Sequence, residues 1–268
     1  MKRLKRDYAP KKTSRDRHLR GELLFLEFLR GFRGVPQLYG GWFEGPELVY
    51  IVQYAGLTLG LGTEGSGAET QVDLPNQLGV EYAAYARSSP LDAATALLRC
   101  FESFSQRSGY FMHSVKAKQF AIALPPPSGA AAEIFLIDGP DVLHDPIASF
   151  LKEHGWWGMV SHTTQPSKST CRAHADCKSR YERHTSAREA RGFCGRRGIC
   201  EPLSSKTHVF DVATQPWALP WLLQAAKDAG DRDSVATLAK LIDEMRSERP
   251  ADRPTFSQAL ASLTVTSS

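Results

Sequence analysis

The sequence predicts an α+β fold, and three observations predict it. Short apolar runs at 48–52, 120–124 and 134–137 read as strands. Stretches of helical period at 17–30, 90–106, 216–227, 234–246 and 255–263 read as helices. The 268 residues are 42% hydrophobic and 23% charged, ordinary globular values that exclude wholesale disorder, collagen and coiled coil. No apolar run approaches the ~20 residues that span a bilayer, so no transmembrane helix is expected. No apolar stretch follows the basic start Met1-Lys-Arg-Leu-Lys-Arg6, so no signal peptide is expected in this chain.

The first helix carries Leu19, Leu23, Leu26 and Leu29 on one side, with Phe25 and Phe28 widening the stripe. Gly31 and Gly34 close it, and Pro36 prevents its continuation. Leu48-Val-Tyr-Ile-Val52 reads as a buried strand ended by Gly56. Residues 59–72 are rich in Gly, Thr and Ser, a loop or linker composition. In the 90–106 helix Ser89 is the expected cap and Pro90 suits the first turn. Leu91, Ala94, Leu98, Phe101 and Phe104 then recur at helical spacing. Phe120–Leu124 and Ile134–Ile137, separated by Pro125-Pro-Pro-Ser-Gly129, read as a hairpin with a long loop. Residues 160–206 are polar, basic and without period. In 234–246 Val235, Leu238, Leu241, Ile242 and Met245 form a stripe. There is no internal repeat.

Charge is uneven. The net charge is +4, yet residues 1–20 hold nine Lys/Arg against two Asp, and residues 161–209 hold ten against four acids. The remainder is acidic. A positive arm and a positive insert suit nucleic acid or phosphate. A solvated surface is the plainer reading, and no aromatic interleaving or RNA-binding signature accompanies the charge.

Several short stretches, in order and at about the right spacing, resemble the protein kinase fold. Glu22 leads the helix that runs into Val35-Pro-Gln-Leu-Tyr-Gly40, as does the kinase Glu that pairs with the phosphate-holding Lys. The resemblance selects Lys2 for that Lys, because Lys2-Arg-Leu resembles a strand end. Lys11 and Lys12 are rivals, and a surface role for all three stays open. Tyr50-Ile-Val-Gln-Tyr-Ala-Gly56 resembles the strand that becomes the hinge, where backbone near Tyr54 and Ala55 would bond an adenine edge. Met112-His-Ser-Val-Lys-Ala-Lys-Gln-Phe-Ala-Ile122 resembles the catalytic loop and the strand after it.

On that template Lys116 contacts the transferred phosphate, Gln119 replaces the metal-binding Asn, and Ser114 replaces the catalytic Asp. A hydroxyl is no carboxylate base near pH 7, so Ser114 leaves turnover and its loss as equal expectations. Ile137-Asp-Gly139 sits where kinases have Asp-Phe-Gly, which makes Asp138 the implied Mg²⁺ ligand beneath ATP. Arg249-Pro-Ala-Asp-Arg-Pro-Thr-Phe256 resembles the C-terminal kinase signature. There Arg253 would make a buried ion pair with a Glu, Glu201 being the nearest candidate. Asp211, in Val209-Phe-Asp-Val212, resembles the Asp that braces the catalytic loop.

Cys171-x5-Cys177 and Cys194-x5-Cys200 lie between Asp138 and Asp211. An insert with paired cysteines there, joined to a Gln in the catalytic loop, is similar to the DIPK- and Vlk-like divergent kinases of the secretory pathway. That resemblance implies two disulfides among these four and leaves Cys100, in an apolar stripe, as the buried free thiol. Zinc competes with disulfides, because His174 and His184 bring the possible ligands to six, although the usual two-residue Cys spacing is missing.

The implied organisation is a partial, β-rich N-lobe over 1–58, a linker over 59–87 and a mostly helical C-lobe over 88–268 with the insert at 160–206. The glycine-rich phosphate loop of kinases is absent, since Gly60-Leu-Gly62 and Gly65-Ser-Gly67 fall too late. The leading expectation is ATP- and Mg²⁺-dependent phosphoryl transfer to a protein hydroxyl in the secretory lumen or outside the cell. A pseudokinase acting as a binding or scaffolding module is the alternative, and a zinc-stabilised basic adaptor for nucleic acid is the third.

Overall fold

A computed structural model describes residues 23, 25–44, 47–60, 78–107, 115–125, 131–137, 170–172, 194–195, 197–200 and 204–265. Helices and two small sheets make an α+β architecture. The strands are β1 (Leu38–Glu44), β2 (Glu47–Val52), β3 (Leu57–Thr58), β4 (Phe120–Ala123) and β5 (Glu133–Leu136). The α-helices are α1 (Val80–Ser88), α2 (Pro90–Phe101), α3 (Ser205–Thr214), α4 (Leu219–Asp228), α5 (Arg232–Met245) and α6 (Phe256–Val265). No helix among the described residues is long and apolar enough to cross a membrane.

The first predicted helix is described from its end. Residues 25–28 are helical, and Phe25, Leu26 and Leu29 are buried while Leu23 and Phe28 pack at the margin. Leu19 lies outside the described residues. Gly31 and Gly34 adopt φ of 81° and 73°, the left-handed conformation that ends helices. Gly34 is also a crossing point. A Cβ there would meet the Cys100 backbone and the Ile134 carbonyl, each at 3.1 Å. Its carbonyl accepts the Leu136 N–H at 2.8 Å, which ties this loop to β5.

β2 pairs antiparallel with β1, a strand not predicted from the sequence. The expectation of a buried strand needs correction. Val49 and Tyr50 are buried but Ile51 is 41% exposed and Val52 half-buried, so this strand of a two-stranded sheet is only partly covered. The predicted hairpin forms, with Phe120↔Leu136 and Ile122↔Ile134 in register, and β3 adds to its other edge through Leu57↔Ile122.

α2 is the axis of the core. Ala93, Ala94, Leu97, Leu98, Cys100 and Phe101 are all buried, and the helix packs on α4, α6 and β5. Its start departs from expectation. The Ser89 side chain makes no cap hydrogen bond, because Ser89 closes α1 instead, its N–H donating to the Tyr85 carbonyl at 2.9 Å. Its end departs too: Glu102–Arg107 widen into a π-helical turn, so the predicted helix to 106 is two windings. That turn is clasped by α6, where Ser257 Oγ donates to Glu102 Oε1 at 2.7 Å and accepts from Gln106 Nε2 at 2.9 Å.

The insert was expected to reach 206, yet α3 begins at Ser205. Ser204 starts it with a capping box: its hydroxyl accepts from the Lys206 N–H at 3.3 Å and its own N–H donates to Thr207 Oγ1 at 3.2 Å. The later helices match the pattern. Leu238, Leu241, Ile242 and Met245 of α5 are buried, with Val235 at the edge.

Candidate functional site

The chain leaving β2 passes against β4. Gly56 has φ of 91°, and a Cβ there would lie 1.9 Å from the Ile122 carbonyl oxygen, so no side chain fits. Leu59 N–H then donates to the Phe120 carbonyl at 2.9 Å, and a Cβ on Gly60 would stand 2.7 Å from the Lys118 nitrogen. Residues 56–60 are thus laid along 117–123. Just before them Tyr54 is 78% exposed and Ala55 half-buried, at the outer end of this crossing.

Gln119 stands at the centre. It ends the 3₁₀ turn Ala117–Gln119 and is 2% exposed. Its Oε1 accepts the Lys116 backbone N–H at 2.7 Å, and its own N–H donates to the Lys116 carbonyl at 3.0 Å. Its carbonyl accepts the N–H of Ile137 at 2.8 Å. The residue preceding Asp138 is therefore hydrogen-bonded to Gln119. Lys116 is half-buried on the same turn.

The residue after Gln119 anchors this arrangement. The Phe120 ring lies 5.3 Å from Phe101, 5.5 Å from Trp217 and 6.2 Å from Phe104. Such buried ring clusters hold one packing rather than many. Within the cluster Ser105 Oγ and His208 Nδ1 are 2.5 Å apart, both buried, which joins the π-turn to α3. The sequence reading missed this pair, because Ser105 and His208 stand in mixed stretches, Glu102–Arg107 and Ser205–Thr214, where other polar residues surround them.

Asp211 is buried on α3. Arg253 is buried as well, and its guanidinium is spent on backbone: Nε to the Ser247 carbonyl at 2.7 Å, and the two terminal nitrogens to Lys206 at 3.0 Å and Glu248 at 3.1 Å. The Phe210 ring lies 4.6 Å below it. Burial pushes the Arg253 pKa down, and the Asp211 charge opposes that shift. Lys206 Nζ donates to the Arg253 carbonyl, and desolvation with the nearby guanidinium lowers its pKa. The expected Glu partner, Glu201, lies outside the described residues, as do Lys2, Glu22, Ser114, Asp138 and Cys177.

Cys171 and Cys194 form a disulfide with an S–S distance of 2.06 Å, so the bridge crosses between the two Cys-x5-Cys pairs. Cys200 is disulfide-bonded too, to a partner outside the described residues. The bridge removes two thiolates from the six candidate zinc ligands. Cys100 is a free, buried thiol, with Sγ 3.6 Å from the Gly34 carbonyl. Burial, and secondarily Glu133, push its pKa up, which keeps it protonated and inert.

Among the described residues no group of three or more His, Cys, Asp or Glu side chains is disposed to hold a metal ion. The Gln119–Asp138 pair has only its first member described, and that amide oxygen has a second lone pair beyond the one given to Lys116. No protein-family profile matches the chain, and no curated protein matches it.

Proposed function

We propose that the chain is a divergent protein kinase-like domain that binds ATP with Mg²⁺ and transfers a phosphoryl group to a protein hydroxyl. One observation carries the reading: the 3₁₀ turn ending in Gln119 is hydrogen-bonded to the last residue before Asp138, while the segment after Tyr54 and Ala55 is packed along the same turn and strand. Adenine would meet the 53–56 backbone. Gln119 and Asp138 would hold Mg²⁺ between phosphates, and Lys116 would neutralise the transferred group. Buried Asp211 on α3 suits the brace that kinases place behind the catalytic loop, which the resemblance puts at 113–119.

The pseudokinase reading has its own support. Ser114 stands where kinases use an Asp, and Gln119 Oε1 is already engaged by the Lys116 N–H. Geometry and phosphate electrostatics supply much of phosphoryl transfer, so nucleotide binding precedes the question of turnover. Thermal unfolding with ATP and Mg²⁺ tests binding, and labelled phosphate incorporation tests transfer. A raised midpoint with incorporation lost in Asp138→Asn supports the kinase. A raised midpoint without incorporation supports the pseudokinase, and no shift at millimolar ATP contradicts both.

A further inference from the structure

The chain turns from α4 into α5 at Gly230, whose φ of 71° lets the Asp231 N–H reach back to the Ala226 carbonyl at 3.0 Å. An open cleft of about 320 Å³ lies at this corner, lined by Lys227, Gly230, Arg232, Val235 and Ala236. That is the lower end of the ~300–1,000 Å³ that small-molecule sites occupy. Gly230, Val235 and Ala236 give it an apolar wall, and Lys227 and Arg232 are the charged residues on its lining.

The charges around the corner are not equivalent. Asp231 has both carboxylate oxygens engaged by Ser234, whose N–H donates to Oδ1 at 3.1 Å and whose hydroxyl donates to Oδ2 at 2.5 Å. Asp228 Oδ1 accepts from Gln224 Nε2 at 2.7 Å. Neither acid lines the cleft, nor does Asp233. The Lys227 and Arg232 side chains are exposed and, among the described residues, in no ion pair or side-chain hydrogen bond. The acids are committed elsewhere, and the cations are not.

We propose that this cleft binds a small organic monoanion, an apolar body carrying one carboxylate. The body would lie on Val235 and Ala236 while the Arg232 fork and the Lys227 ammonium take the carboxylate. Phosphate is the poorer match. Two cations against the three acids Asp228, Asp231 and Asp233 leave the corner negative, which opposes a dianion. An inorganic ion would also leave the apolar wall in water. The cleft shares no residue with the proposed nucleotide site, so the proposal stands independently of it.

Benzoate serves as the probe and benzamide as its uncharged match, each titrated into the full, isotope-labelled chain and followed by NMR. Benzoate should shift the amide signals of Gly230, Val235 and Ala236 saturably, and benzamide should bind at least about threefold more weakly. Lys227→Ala and Arg232→Ala should each weaken benzoate about twofold to fivefold. Ala236→Phe, which fills the cleft from an exposed position, should abolish the shifts, whereas Arg87→Ala on α1 should leave affinity unchanged. Absent shifts at these amides, or shifts that survive Ala236→Phe, would overturn the site. Benzamide binding as tightly as benzoate would remove the need for an anion, and inorganic phosphate binding as tightly would remove the need for an apolar body. Equal losses in Arg87→Ala and Arg232→Ala would reduce the effect to net charge and likewise defeat the proposal.

Discussion

Cys100 and Cys171 are both buried, at 2% and 7% exposure, but they sit in regions stabilised by different means. Cys100 fills a gap between α2 and the Gly34 loop, where leucine, alanine and phenylalanine already exclude water. There the sulfur behaves as a small apolar group. Cys171 sits in a second cluster that, among the described residues, is made of cysteines, and there a covalent bridge is added to burial. The lesson is that stability in this chain is regional. The helical half answers to packing, and the Cys171–Cys194 region answers to oxidation.

Substitution at the centre of the packed half should show the largest effect. Phe101 touches Phe104, Phe120, His208 and Phe256 at ring distances of 4.8–5.8 Å, so Phe101→Ala should cost about 3–5 kcal/mol in urea unfolding. A loss under about 1 kcal/mol would mean that the ring cluster is not the core's centre. Arg253→Ala comes next, at about 2–4 kcal/mol, because it strands the carbonyls of Ser247, Lys206 and Glu248. Arg253→Lys should recover little of this, since an ammonium lacks the fork. Full recovery would show that charge rather than geometry is needed.

Asp231 caps α5 through Ser234, its carboxylate accepting the Ser234 N–H at 3.1 Å, and these bonds lower its pKa. A depressed folded pKa means that this contribution is present above the ordinary Asp value and is lost as pH falls through the folded one. Asp231→Ala should therefore cost about 1 kcal/mol at pH 7, and the difference from wild type should vanish in strong acid. A difference that persists there would point to packing. Cys171→Ser should have the smallest global effect. Proteolysis between 170 and 200 should accelerate while the main unfolding midpoint stays in place, and a large midpoint shift would dissolve the distinction between the two regions.

What was legible in the sequence follows the same division. The β4–β5 hairpin, the α2 axis and the α5 stripe could be read because apolar residues recur at the period of the element. α3 could not, because buried Thr207, His208 and Asp211 interrupt its apolar face with polar side chains, Thr207 being used in the helix cap and His208 in a contact with Ser105. β1 was hidden by Gly40 and Gly41 and by the exposed Tyr39 and Trp42, which leave no strand-like alternation. The pairing of Cys171 with Cys194 has no sequence signal, since four cysteines admit three connectivities. In the candidate site, Gln119 was singled out by the resemblance of 112–122 to a kinase catalytic loop, whereas the engagement of its amide oxygen by Lys116 depends on the 3₁₀ turn and has no sequence signal.

The central claim is that Gln119 and Asp138 share one cation beneath a bound triphosphate. Calorimetric titration of Mg²⁺–ATP into wild type, Gln119→Ala, Asp138→Asn and the double variant tests it as a thermodynamic cycle. Two ligands of one ion should each cost at least about tenfold in affinity, and the double variant should lose far less than the product of the two. Independent losses that multiply, or single variants that bind as wild type does, would contradict the account.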